Sequence, residues 1–107
     1  MNKLFIDTSN NKKIVVALEI DNKKDTMFLE SALVKSEVTI PLIRDLLHKK
    51  GIKIEDLNEI IVNQGPGSFT GLRVGISIAN TLGHILKIPV NGKKIGELAQ
   101  PLYNNLI

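Results

Sequence analysis

The run EIIVNQGPGSFTGLRVG, residues 59–75, decides the fold. Its first six residues, 59–64, are apolar and β-branched enough for a short buried strand. From Leu72 to Lys87 the apolar residues recur at helical spacing, the strongest helical pattern in the chain. Between them, residues 65–71 place Gly65, Gly67 and Gly71 around Pro66. A strand that turns through glycines into a helix is the repeating unit of an α/β crossover.

Toward the N-terminus, residues 3–8 (KLFIDT), 14–20 (IVVALEI) and 26–33 read as three strands. The polar cluster Asp7-Thr8-Ser9-Asn10-Asn11 and the turn at residues 21–24 join them as two antiparallel hairpins. Ser36 or Thr39 then caps a helix that runs to about Lys50, with Gly51 as its stop. Pro41 fits the first turn if Thr39 caps and loosens the ladder if Ser36 does. Residues 55–57 add one helical turn. Beyond the second helix, Ile88-Pro89-Val90-Asn91 begins a fifth strand, and residues 94–103 read as a last helix shortened by Pro101.

The fold class is therefore α/β, in the order β-β-β-α-β-α-β-α around a five-stranded mixed sheet. A meander followed by crossovers resembles a single actin-like or ribonuclease H-like lobe. Right-handed crossovers that both run the same way put the first two helices on one face. The last helix is expected on the other.

Composition bounds what such a lobe can do. The chain has 107 residues, 43% hydrophobic and 23% charged, which suits one globular domain over residues 1–107. No apolar run approaches the ~18 residues of a membrane helix. Met1-Asn2-Lys3 meets charge too early for a secretory signal. With no cysteine, disulfides, thiolate metal sites and cysteine nucleophiles are excluded, and a cytoplasmic location is expected. The net charge of +3 comes largely from lysine pairs at turns, at 12–13, 23–24, 49–50 and 93–94. They read as solvated turn charge, with an electrostatic contribution to RNA binding as the alternative. Three Phe, one Tyr and no Trp argue against a stand-alone reader of single-stranded RNA.

Both helices are apolar on more than one side. On the second, Leu72, Ile76, Ala79, Gly83 and Leu86 form one stripe, and Val74, Ile78, Leu82 and Ile85 another. On the first, Val38, Ile40, Leu42, Ile43, Leu46 and Leu47 cover more than half the circumference. A helix on a sheet needs one apolar stripe. The second stripes either pack the helices on each other or form a surface for another protein or a second copy.

The glycine-rich segment leaves three readings open: a constrained turn, an anion or nucleotide contact, or a partner-recognition loop. No Lys-Ser/Thr follows the glycines, so it is not a P-loop. The spacing GxGxxxG is one residue longer than the dinucleotide fingerprint, and Pro66 removes an amide donor. Ser68 and Thr70 can cap the helix. Arg73 in the first turn opposes the helix dipole, so an acid or phosphate is its expected partner.

As a sequence, GPGSFTGLRVG resembles the signature of the bacterial TsaB family, also called YeaZ. Residues 6–9 (IDTS), 40–47 (IPLIRDLL), 88–92 (IPVNG) and 95–99 (IGELA) resemble the family's opening strand, first helix, later strand and following helix. The resemblance implies an actin-like chain that is not itself the transferase. It would bind and support a TsaD-like transferase in threonylcarbamoyladenosine modification of tRNA, reaching tRNA only indirectly and having no membrane partner. By the same resemblance the partner surface is Ile40, Ile43, Leu47, Val74, Ile78, Leu82 and Ile85. That surface also serves a homodimer, and a TsaE-like ATPase joins the assembly. No cofactor is required, although ATP or ADP can lie at the complex interface. The signature loop, Gly65, Pro66, Gly67, Ser68, Phe69, Thr70, Gly71 and Arg73, would touch nucleotide or partner. Family members usually have a second lobe, so 107 residues are expected to supply only the N-terminal one.

Asp7, Thr8 and Ser9 resemble the first phosphate motif of actin-like ATPases, in which glycines let backbone approach phosphate. Here Asn10 and Asn11 stand in their place, which favours a structural hairpin. The competing function is a weak nucleotide-binding actin-like protein that uses the glycine loop and Asp7. No metal site is expected, because His48 and His84 stand alone. A peptidase is disfavoured because Ser68 has no partner motif.

Overall fold

The computed structural model describes residues 1–30 and 35–102. Strands β1 (Asn2–Asp7), β2 (Lys13–Ile20) and β3 (Lys23–Glu30) form the meander. Helix α1 (Lys35–Lys50) follows, then a 3-10 turn at Ile54–Asp56, strand β4 (Glu59–Val62) and helix α2 (Phe69–Leu86). The sheet order is β3-β2-β1-β4, antiparallel except for the parallel pair β1–β4.

The β2–β3 turn is tighter than the sequence suggested. Asp21 and Asn22 take φ of 49° and 69°, a two-residue turn whose twist suits a hairpin. β3 therefore starts at Lys23, and the end of the expected strand at Leu33 lies outside the described residues.

Alternation decides which face is buried. Leu4 and Ile6 of β1, Ile14, Val16 and Leu18 of β2, and Ile60 and Val62 of β4 are all buried. They meet Leu42, Ile43, Leu46 and Leu47 of α1 and Leu72, Ile76 and Ala79 of α2 in one core. Both crossovers move the chain in the same direction, from β3 across the sheet to β4 and then to its outer edge. Both helices accordingly lie on that one face.

Three expectations are corrected. First, among the described residues the sheet has four strands, not five. The fifth is reduced to a single parallel bridge between Ile60 and Val90. Pro89 has no N–H, and Asn91 and Gly92 take φ of 53° and 71°, which turns the chain out of the sheet. The Asn91 side chain prolongs the ladder instead: its Oδ1 accepts from the Val62 N–H at 2.7 Å and its Nδ2 donates to the Val62 carbonyl at 3.0 Å.

Second, the expected helix at residues 94–103 is a single turn at Ile95 and Gly96 followed by irregular chain to Leu102, and Tyr103 lies outside the described residues. Gly96 sits at φ 90°, where a helix cannot pass. Asn80 holds Ala99 by two hydrogen bonds, Ala99 N–H to Oδ1 at 2.9 Å and Nδ2 to the Ala99 carbonyl at 3.0 Å. The second sheet face, with Phe5, Val15, Phe28 and Ile61, is covered by no helix among the described residues.

Third, α1 begins at Lys35, so neither Ser36 nor Thr39 caps it. Thr39 is buried within the helix, and its hydroxyl donates back to the Lys35 carbonyl at 2.7 Å. Pro41 sits inside α1 and leaves one ladder bond unmade.

Candidate functional site

α2 starts three residues earlier than its apolar pattern because Ser68 caps it. The Ser68 Oγ accepts from the Gly71 N–H at 3.3 Å, while the Ser68 N–H donates to the Ser9 carbonyl at 2.8 Å. Thr70, the other candidate cap, is exposed in the first turn. Gly65, at φ 114°, turns the chain out of β4 and donates its N–H to Asn63 Oδ1 at 2.9 Å. Pro66 beside it is exposed.

The glycines that follow serve contact more than turning. Gly67, Gly71, Gly75, Ala79 and Gly83 recur every fourth residue, which puts the four inside α2 on one helical face. The N-terminal part of that face lies on Ile6 and Thr8 at the end of β1, and Gly83 packs on Val90. A Cβ on Gly71 would run into the Thr8 carbonyl oxygen, and one on Gly75 would lie 2.5 Å from Thr8 Oγ1. Thr8, fully buried, ties the two elements together: its hydroxyl donates to the Gly71 carbonyl and accepts from the Gly75 N–H at 3.0 Å. Of the three readings of the loop, the close-packed turn is the one this geometry supports.

Asp7 and Ser9 form the rim of the same sheet end. Asp7 Oδ1 accepts from the Ser9 N–H at 2.9 Å and the Ser9 hydroxyl at 2.6 Å. Asn63 Nδ2 reaches Ser9 Oγ at 3.2 Å. Partial burial works against ionising Asp7. The Ser9 hydroxyl and amide, Asn63 and the Lys35 charge outweigh it and hold the carboxyl below its ordinary value. Lys35, which no sequence pattern singled out, donates its ammonium to the carbonyls of Thr8 and Asn10. Burial lowers its pKa, partly offset by Asp7.

The second stripe of α2 meets α1 along a groove of about 380 Å³. Ile40, Ile43 and Leu47 of α1, Leu82 of α2 and Ile54 line it, and Arg44, His48 and Lys53 give it a basic rim. Four of the seven expected partner-binding residues therefore converge. Ile43 and Leu47 present only edges, being mostly spent on the core, whereas Ile40 is 58% exposed. Ile78 is half-buried and packs against the core, and Val74 lies beside Lys35 and Thr70 at the opposite end of the helix. Ile85 is 66% exposed on the last turn.

Arg73 lies at the exposed side of α2. Its guanidinium lies over the Phe69 ring, 5.2 Å from the centroid, and no carboxylate pairs with it among the described residues. Among those residues no group of three or more His, Asp or Glu side chains is placed to hold a metal ion.

Comparison with known proteins gives a consistent picture. A family model described as "TsaD: tRNA N6-adenosine threonylcarbamoyltransferase" matches residues 31–93. The tRNA threonylcarbamoyladenosine biosynthesis protein TsaB of Buchnera aphidicola is 39% identical over 92 residues, 83% of this chain and 42% of that protein. The Bacillus subtilis protein of the same name is 32% identical over 119 residues, 97% of this chain and 50% of its own length. A solved structure, YeaZ from Pseudomonas aeruginosa, superposes with a TM-score of 0.77 at 29% identity, covering 83% of this chain and 41% of that one. The chain spans half or less of the length of these relatives.

Proposed function

The chain belongs to the TsaB (YeaZ) family, and from that premise we propose that it is a non-catalytic subunit that holds and supports a TsaD-like transferase in threonylcarbamoyladenosine modification of tRNA. The observation that carries this reading is the α1–α2 groove. An apolar floor of Ile40, Ile43, Leu47 and Leu82 inside a basic rim is the form of a helix-recognition surface. Its partner would bring an apolar helix flanked by acids. A second copy would compete for the same floor and so form a homodimer. A TsaE-like ATPase would join on another surface, and ATP or ADP would lie at a complex interface without being required by this chain. The setting is cytoplasmic.

The competing reading, a nucleotide cradled by the glycine loop and Asp7, draws less support. Gly67 and Gly71 are packed against Ser9 and Thr8, and Lys35 already takes the Thr8 and Asn10 carbonyls. The test is capture of the chain by an immobilised TsaD-like transferase. Ile40→Glu combined with Ile85→Glu, both exposed positions, is expected to abolish capture while the thermal midpoint stays near wild type. Undiminished capture by a folded double variant would sink the proposed surface.

A further inference from the structure

α2 has a third face that neither the core nor the groove uses. Phe69, Arg73, Ser77 and Thr81 follow one another every fourth residue, and all four are exposed. Facing this ridge runs the segment 98–101, and it is held firmly. Asn80 makes its two hydrogen bonds to Ala99, Gln64 Nε2 donates to the Gln100 carbonyl at 2.8 Å, and the Leu102 N–H donates to the Gln64 carbonyl at 2.7 Å. Ridge and segment flank an open, shallow groove of about 440 Å³. Ile76 and Leu98 supply apolar surface, Ser77 and Thr81 bring hydroxyls, and Arg73 lines it as well.

We infer that this groove takes a nucleotide of single-stranded RNA, with its base stacked on the guanidinium of Arg73. Three observations favour that class. The Arg73 guanidinium carbon lies 5.2 Å from the Phe69 ring centroid, and a guanidinium held against an aromatic leaves its other side for a base. No acidic side chain lines the groove, in a chain whose net charge is +3. Arg73 also has no carboxylate paired with it among the described residues, so its charge is left for a ligand. An acidic peptide would find one cation and no second anchor, whereas a base uses the plane, the apolar surface and the hydroxyls together. The inference deepens the tRNA-modification reading, on which the choice of RNA rests, and replaces indirect contact with tRNA by a direct one.

The experiment is fluorescence anisotropy of a labelled oligoadenylate of about ten nucleotides, a length typical of single-strand sites, titrated with the full chain alone and with a TsaD-like transferase. Wild type is expected to bind. Arg73→Gln should weaken binding about tenfold, the loss of one base stack, and Ser77→Asp with Thr81→Asp should weaken it at least as much. Arg73→Lys keeps the charge and loses the plane, so it should not restore affinity. All are exposed positions, and unchanged circular dichroism would show that the fold is intact. Equal binding by wild type and these variants overturns the inference, as does full rescue by lysine or the absence of RNA binding in both formats. Stronger binding of a labelled oligoglutamate than of RNA overturns it in favour of a peptide. Capture by the transferase, measured on the same samples, reports separately on the proposed function.

Discussion

Thr8 connects the start of the chain to the signature loop through one buried hydroxyl that serves both Gly71 and Gly75. The glycines can therefore be tested as packing residues. Gly75→Ala would set a Cβ 2.5 Å from Thr8 Oγ1, and overpacking of this kind costs roughly 1–3 kcal/mol, readable as a lower urea midpoint. Thr8→Val removes both hydrogen bonds with little change of shape and should cost about 1–3 kcal/mol. Asp7 sets a pH dependence. Its folded value and that of Asp25, which pairs with Lys50, lie below the ordinary 3.8. A depressed acid favours the folded state above its unfolded value, and that contribution is lost as the pH falls through the folded value. Stability should accordingly decline as pH drops from about 5 to below 3.8, and Asp7→Asn should flatten part of the decline in urea titrations at stepped pH. The hairpin role of Asp7 and Ser9 was legible, because Asx turns are local. Lys35 was not, because its contacts span 25 and 27 residues.

At the scale of elements, the helices were easier to read than the ends of the sheet. α2 showed its stripes because 3.6-residue periodicity survives in sequence. The period of four that runs Gly67, Gly71, Gly75, Ala79, Gly83 was equally visible, but glycines next to a proline read as a loop. The fifth strand and last helix both stop at left-handed residues, Asn91 and Gly92 in one case and Gly96 in the other, and side-chain amides take over backbone partners nearby. Asn91 extends the ladder beside Val62, and Asn80 captures Ala99. Propensity cannot register such long-range capture. Asn91→Gly keeps the left-handed turn and removes the amide, so a loss of roughly 1–3 kcal/mol in that variant would be the amide's share. Asn91→Ala should lose more, because φ of 53° also strains alanine. If both variants match wild type in thermal midpoint, the amide has no such role.

For the whole molecule, the sheet divides its two faces between different tasks. One face carries both helices and the core. The other bears an alternating row, Lys24, Glu19, Lys3 and Glu59, paired across all four strands, with Phe5, Val15 and Ile61 beside it. Cross-strand pairs of opposite charge suit a wet surface, and Lys24 lays its ammonium 4.0 Å from the Phe5 ring centroid. The meander and the shared face of the two helices followed from chain order and right-handed crossovers. The sheet edge depended on Pro89 and on the side chain of Asn91. What remains distinctive at this scale is the α1–α2 groove, and with it the claim that this chain acts by binding.

The most direct measurement is light scattering coupled to size-exclusion chromatography, with the chain alone and mixed with a TsaD-like transferase. A mixed peak whose mass equals a one-to-one sum, abolished by Ile40→Glu with Ile85→Glu, is the predicted result. Two peaks at the separate masses, with both proteins folded and mixed at tens of micromolar, would contradict it.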